Sequence, residues 1–144
     1  MPILCGCKVL TLTQPTPLSE AVKRIKKQLK LNYVRLAHPY GLKEDDPTIK
    51  TVAACAGSGG GVLNGRQADL LLTGEMSHHQ VLDAVSQGCA VILCEHTNTE
   101  RGFLQGTYKE MLEQALGGNV QVCIATADKD PLEILYGVHV FYEL

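Results

Sequence analysis

The sequence predicts an α/β fold with a largely parallel sheet and helices on both of its faces. From about residue 49 onward, short apolar runs alternate with segments of helical periodicity. The runs are continuously apolar, which is typical of strands that are covered on both faces, as in a parallel sheet. A regular succession of such strands and helices favours an α/β domain.

Length and composition fit one domain of this kind. The chain has 144 residues, 45% hydrophobic and 19% charged, with a formal net charge of −2. This composition excludes a disordered chain and gives no clear electrostatic footprint for nucleic acid. No apolar run approaches the roughly 20 residues of a membrane helix, and the first residues lack a secretory signal. We expect a cytoplasmic or nuclear protein with one domain over residues 1–136 and a tail at 137–144.

The first part of the chain predicts two strands with a helix between them. Residues 8–15 and 33–38 are the apolar, strand-like runs. Residues 17–30 instead have helical spacing, with Leu18, Val22, Ile25 and Leu29 on one face. The lysines and the arginine of this helix fall elsewhere, which favours a solvated outer face over a phosphate-binding one.

The remaining elements predict the centre of the sheet and its covering helices. Strands are expected at residues 49–57, 68–74, 89–96 and 119–127. A helix over residues 77–88 ends at Gly88, a natural C-terminal stop. A second helix, over residues 99–118, has a break near Gly106. Its expected inward residues are Phe103, Leu104, Tyr108, Met111, Leu112, Ala115 and Leu116.

Most of the six cysteines belong to these predicted strands. Cys55, Cys94 and Cys123 lie inside them and Cys89 begins one, so we expect buried, reduced thiols. Cys5 and Cys7 form a lone Cys-x-Cys, which is a weak zinc signal without a second pair at the usual spacing.

A glycine-rich loop directly follows the strand at residues 49–57. It comprises Gly57, Ser58, Gly59, Gly60 and Gly61. Exposed backbone N–H groups in such a loop contact phosphate or carboxylate groups, and a helix start adds its dipole. The loop matches neither the Walker pattern nor G-x-G-x-x-G. An anion site and a simple tight turn are therefore both open.

The turn after the next strand carries Glu75, Ser77 and His79. The carboxyl ends of strands in parallel α/β sheets are where ligands collect, so a site near these side chains is one hypothesis. Ser77-x-x-Gln80 also has the form of a helix capping box, which explains the serine without any ligand.

The segment CEHTNTERG at residues 94–102 offers a similar choice. His96 and Glu100 are four residues apart, a spacing at which one helical turn brings both to the same zinc, iron or manganese ion. Thr97-x-x-Glu100 equally has the form of a capping box. The residues alone support the two interpretations equally.

Several of these segments together resemble the NIF-three-like family, especially its eukaryotic branch. They are VAACAGSGG, ADLLLTGEMSHH, VILCEHTNTERGFL and DKDPLEIL, in this order, and the resemblance covers roughly residues 8 to 135. It corresponds to the C-terminal part of the family fold, and implies one lobe of a two-lobed α/β protein whose lobes surround a two-metal centre and which assembles into homo-oligomers.

The resemblance also implies roles for individual residues. His96 and Glu100 would bind zinc, iron or manganese, with Glu75, Ser77 and His79 near the metal. The other ligands of the family, a His-His-Pro-type motif and an aspartate, belong to an N-terminal part that this chain lacks. We therefore expect an incomplete site, and a hydrolase activity of the GTP cyclohydrolase kind only when that part is present.

A non-enzymatic interaction module is the alternative function. The family takes its name from binding a transcriptional adaptor, which implies regulatory protein partners and a role in transcription regulation. The incomplete ligand set favours this module, whereas the retained H-x-x-x-E favours a metal protein.

Overall fold

Five strands form one sheet in the computed structural model, which describes residues 8–41 and 45–134. The strands are β1 Lys8–Pro17, β2 Arg35–Ala37, β3 Thr48–Ser58, β4 Leu70–Glu75 and β5 Ala90–Leu93. Their spatial order is β1-β3-β4-β5-β2. The three central strands are parallel, and β1 and β2 pair antiparallel at the two edges. The predicted α/β class is confirmed, with the parallel pairing confined to the centre of the sheet.

Helices on both faces explain why the central strands are continuously apolar. The helices are α1 Leu18–Leu29, α2 Gly60–Leu63 and α3 His78–Ser86. All four residues of β5 are buried. Ala90 and Ile92 belong to the buried cluster that contains Leu18 of α1, whereas Val91 and Leu93 belong to the cluster that contains Val85 of α3.

The two predicted amphipathic helices form as expected. In α1, Leu18 is buried and Val22, Ile25 and Leu29 pack against its cluster, while most of the basic side chains are exposed. In α3, the predicted capping box is present: Gln80 N donates to Ser77 Oγ, and Ser77 N donates to Gln80 Oε1.

The helical segment after β5 differs from its prediction. It consists of a 3₁₀ turn at Thr97–Thr99, α4 Arg101–Phe103, a π-helical turn at Leu104–Tyr108 and α5 Lys109–Ala115. The π turn confirms the break expected near Gly106. The expected inward orientation is wrong, because none of the seven apolar residues is buried and Leu104 is 50% exposed.

The strand predicted at residues 119–127 is absent from the structure as described, where this stretch has no strand partner. Val120 and Ile124 are exposed, and so is Cys123, which was expected to be buried. Cys89 and Cys94 are buried as expected, and burial raises the pKa of each thiol to about 11. Cys5, Cys7 and the tail at residues 137–144 lie outside the described residues.

Candidate functional site

Three strand ends meet at the carboxyl edge of the parallel strands. Gly57 and Ser58 lie at the end of β3, Glu75 ends β4, and His96 follows β5. Gly74 lets their backbones approach closely: a Cβ on this residue would lie 2.7 Å from Gly57 O and 2.9 Å from His96 Cα. The sheet therefore brings together residues that are far apart in the sequence.

The turn after β5 is fixed by hydrogen bonds to its own backbone and to β3. Glu95 has a φ of 67°, an uncommon left-handed conformation for a residue with a side chain. Asn98 Nδ2 donates to Cys94 O at 2.7 Å. Thr99 Oγ1 donates to His96 O and accepts from Gly57 N, each at 2.8 Å. These bonds hold His96 next to Gly57.

The predicted capping box of Thr97 and Glu100 does not form. The Thr97 hydroxyl donates to Asp130 Oδ2, and neither the 3₁₀ turn nor α4 has a side-chain cap. The Glu100 carboxylate faces the His96 ring instead. The capping interpretation of this segment is therefore wrong.

Two carboxylates flank the His96 ring, one at each ring nitrogen. Glu75 Oε2 lies 2.9 Å from Nδ1, and Glu100 Oε2 lies 3.4 Å from Nε2. Gly57 leaves room for this arrangement, because a Cβ there would collide with Glu100 Oε1 and lie 3.0 Å from His96 Nε2. Histidine and carboxylate side chains in this arrangement are suited to a divalent metal ion.

The surroundings of His96 favour positive charge. The hydrogen bond to Glu75 raises the pKa of His96 above its usual value. Burial lowers this pKa by a smaller amount, and the negative charges of Glu100, Glu75 and Asp130 raise it further. No group of three or more His, Cys, Asp or Glu side chains within residues 8–41 and 45–134 is arranged to hold a metal ion. His96 and Glu100 are thus a pair of donors and not a complete ligand set.

Packing contacts require glycine at two positions of the glycine-rich loop, Gly59 and Gly60. Gly59 N donates to Thr73 Oγ1 at 3.0 Å and to Glu75 O at 3.1 Å. A Cβ on Gly59 would collide with Thr73, and one on Gly60 would collide with the Gln80 side chain. These contacts account for two of the glycines in the loop, and the anion-binding role stays a prediction.

The other predicted near-site residues are placed differently from Glu75. The Ser77 hydroxyl accepts the capping hydrogen bond of α3. His79 lies exposed on the first turn of α3, where its ring contacts that of His78, with centroids 6.2 Å apart. Glu75 is the member of this group that contacts His96.

The segment at residues 128–134 contacts residues 97–101, which belong to the turn after β5 (the His96 turn). The sequence analysis did not predict this contact. Arg101 binds Asp128 through two hydrogen bonds, of 2.9 and 3.1 Å. Asp130 accepts from Thr97 and, at 2.8 Å, from Leu132 N. The motif DKDPLEIL was recognised as part of the family resemblance, but nothing in its residue spacing indicated that its aspartates bind Thr97 and Arg101.

A cavity of about 1000 Å³ opens beside the His96 ring. Its lining includes residues 30–33 and Arg35, which precede and enter β2, and residues 130–134. Glu75 and His96 also line it. The cavity is large enough for a small-molecule ligand.

Fold and site together define an α/β protein with a histidine–carboxylate pair at the carboxyl edge of its parallel strands. Residues 5–131 match the family model Duf34/NIF3 (NGG1p interacting factor 3), and the chain belongs to this family. The resemblance inferred from the sequence is confirmed.

Individual relatives extend well beyond the length of this chain. NIF3-like protein 1 of Bos taurus is 50% identical over 128 residues, covering 89% of this chain and 33% of the bovine protein. NGG1-interacting factor 3 of Saccharomyces cerevisiae is 43% identical over 122 residues, covering 81% of this chain and 41% of the yeast protein. The crystal structure of Staphylococcus aureus protein SA1388 has the same fold, with a TM-score of 0.71 at 24% identity, covering 90% of this chain and 42% of that chain. The chain thus spans less than half the length of each.

No helix in the described part of the chain is long and apolar enough to cross a membrane.

Proposed function

We propose that His96 and Glu100 are ligands of a divalent metal ion, zinc, iron or manganese, in a metal-dependent hydrolase of the GTP cyclohydrolase kind. The observation that carries this proposal is the orientation of Glu100. Its carboxylate serves no helix cap and lies 3.4 Å from His96 Nε2, in the space that Gly57 leaves free. Such an ion supplies Lewis-acid chemistry for hydrolysis.

Two donors are fewer than the three protein ligands that a catalytic metal usually has. Because the chain spans 33% of the bovine relative, we propose that the remaining ligands, and a second ion, belong to parts of the complete protein outside the described residues. The isolated chain should then bind the metal weakly and have no hydrolase activity. The cavity beside His96 would receive the substrate.

Three substitutions test the ligand assignment. Zinc affinity is measured by competition with a chromophoric chelator, which detects weak binding. His96→Ala and Glu100→Gln should each weaken zinc binding by at least about tenfold. Removing a residue that only hydrogen-bonds to a metal ligand already costs about that much, and removing the ligand itself should cost no less. Thr97→Ala is the matched control: it removes the bond to Asp130, costs about 1 kcal/mol of stability and leaves zinc affinity near that of wild type. Unchanged zinc affinity in both ligand variants would refute the assignment.

We also propose, as a second function, a regulatory module that acts through homo-oligomers and protein partners. The exposed apolar side chains between Phe103 and Leu116 support this proposal, because exposed apolar surface of this kind marks interaction sites. The printed name of the yeast relative, NGG1-interacting factor 3, supports a protein partner and a role in transcription regulation.

A further inference from the structure

We infer that Glu75 is a positioning residue, which holds the His96 ring so that Nε2 presents its lone pair toward Glu100. The inference rests on the proposed metal function, in which Nε2 is the ligand atom. Glu75 would not itself bind the metal, because it contacts the opposite nitrogen of the ring.

The two distances at the ring indicate where its proton lies. A neutral imidazole carries one N–H and one lone pair. The 2.9 Å separation between Nδ1 and Glu75 is that of a good hydrogen bond, whereas 3.4 Å between Nε2 and Glu100 is long for one. The proton of the neutral ring therefore belongs on Nδ1. A lone pair on Nε2 of the neutral ring then faces a carboxylate oxygen, an arrangement that is repulsive unless the ring gains a second proton or a cation lies between the two atoms.

Glu75 is anchored well enough to perform this role. It ends β4, the central strand of the sheet, directly after the buried residues Thr73 and Gly74. Its backbone carbonyl accepts a hydrogen bond from Gly59 N at 3.1 Å. Glu100, by contrast, lies on the short helical turns that follow the 3₁₀ turn, outside the sheet. The two glutamate side chains are equally exposed, at 46% and 45%, so the difference between them is in the backbone: the carboxylate at Nδ1 extends from the central strand and the one at Nε2 from a short helical turn.

The cavity beside the ring separates the two carboxylates in the same way. Among the described residues, its lining includes Glu75 and His96 but neither Glu100 nor Gly57. Glu75 therefore lines the cavity together with His96, whereas Glu100 does not. A carboxylate bonded to the second nitrogen of a metal-binding histidine fixes the tautomer and the orientation of the ring.

The test begins with the metal-free, ¹⁵N-labelled chain. Long-range ¹H–¹⁵N spectra, recorded at a pH where His96 is neutral, report which ring nitrogen carries the proton. Wild type should have it on Nδ1. Glu75→Gln keeps an oxygen that accepts this proton and should retain the Nδ1–H form, whereas Glu75→Ala should populate the Nε2–H form.

Zinc affinity of the same proteins provides the second measurement. Glu75→Ala should weaken zinc binding about 10- to 100-fold, and Glu75→Gln should weaken it much less. Glu133→Ala is the matched control, because it removes the same charge from the cavity lining without a contact to His96. It should leave both the tautomer and the zinc affinity unchanged.

Three results would overturn the positioning role: an Nε2–H form in wild type, an unchanged tautomer in Glu75→Ala, or equal loss of zinc in Glu75→Ala and Glu75→Gln. The last result would make Glu75 a direct ligand. A wild-type chain that binds no zinc would overturn the metal proposal instead, and the tautomer spectra would still decide the role of Glu75.

Discussion

At the scale of single residues, Gly57 decides whether His96 and Glu100 can lie side by side. Its φ of 65° is in the left-handed region, and its missing side chain leaves the space that Glu100 Oε1 occupies. Gly88 has a similar φ of 82°, but no atom lies within 4 Å of the position of its missing Cβ. The two glycines therefore share a backbone requirement and differ in their contact with the site.

We expect Gly57→Ala to reduce metal binding more than its effect on stability explains. Both Gly57→Ala and the control Gly88→Ala should lose about 1–2 kcal/mol of unfolding free energy, because both place a Cβ in the left-handed region. Only Gly57→Ala should displace the Glu100 carboxylate. Urea denaturation and zinc affinity, measured on both variants, separate the two effects. Equal zinc affinity in the two variants would contradict a steric role for Gly57 at the site.

The site also shows what a single sequence can predict at this scale. His96 and Glu100 were recognisable as a candidate pair because four residues separate them, a local pattern, but the ligand role was implied only by the resemblance to the family. The pairing of Glu75 with His96 depends on β4 and β5 lying side by side in the sheet, and the Thr97–Asp130 bond joins residues 33 apart. Neither contact has a local pattern, so the sequence placed Glu75 near the site without identifying its partner.

At the scale of elements, Asp69 joins β3 to the start of β4. Asp69 Oδ2 accepts from Lys50 N and Thr51 N at 2.8 Å each, and from Thr51 Oγ1 at 3.0 Å. Burial by itself would raise the pKa of Asp69, but these hydrogen bonds outweigh burial and lower the pKa below its usual value. The ionised carboxylate therefore stabilises the fold.

Asp69→Asn should lower the free energy of unfolding by roughly 1.5–3 kcal/mol at pH 7, the range for hydrogen bonds to a charged group. Because the pKa of Asp69 is lower in the folded state, its contribution is present above the unfolded value of about 3.9 and disappears as the pH falls through the folded value. The difference between wild type and variant should therefore shrink below about pH 4.

Urea denaturation at several pH values measures this difference. Asp83→Asn is the control, because Asp83 is an exposed carboxylate on α3. If the difference in unfolding free energy between wild type and Asp69→Asn stays constant down to pH 3, the charge of Asp69 has no role in stability.

The elements also show why one part of the fold was predicted less well than the rest. Except for the short helix α2, which was not predicted, the strands and helices up to residue 96 were predicted close to their actual positions, because continuous apolar runs and capping residues mark them locally. The run at residues 119–127 is equally apolar but has no strand partner within residues 8–41 and 45–134. Apolarity indicates a need for burial and does not identify the partner.

At the scale of the whole molecule, apolar side chains are unevenly distributed. The sheet and its covering helices have a well-buried core, whereas the residues after the His96 turn leave many apolar side chains exposed. Phe103, Leu104, Tyr108, Met111 and Leu116 are all at least 37% exposed. Exposed apolar groups in such numbers favour association with another protein surface.

We therefore expect the chain to self-associate, and the double variant Leu104→Ser/Met111→Ser to reduce the association. Sedimentation velocity over a range of concentrations gives the oligomeric state. The matched control is Val62→Ser/Leu82→Ser, since these side chains have comparable exposure on α2 and α3 and should leave association unchanged. A wild-type chain that is monomeric at all concentrations would contradict the expectation.

The strand order has a consequence for how the protein is made in the cell. β1 and β2 lie at opposite edges of the sheet, and β2 pairs with β5, which follows it in the chain by on the order of 50 residues. At roughly 5–20 residues per second, β2 waits about 3–10 s for its partner to be translated. During this interval the apolar face of α1 has no complete sheet to pack on. The apolar side chains of α1 are therefore exposed to solvent during synthesis, and they become buried when β4 and β5 join the sheet.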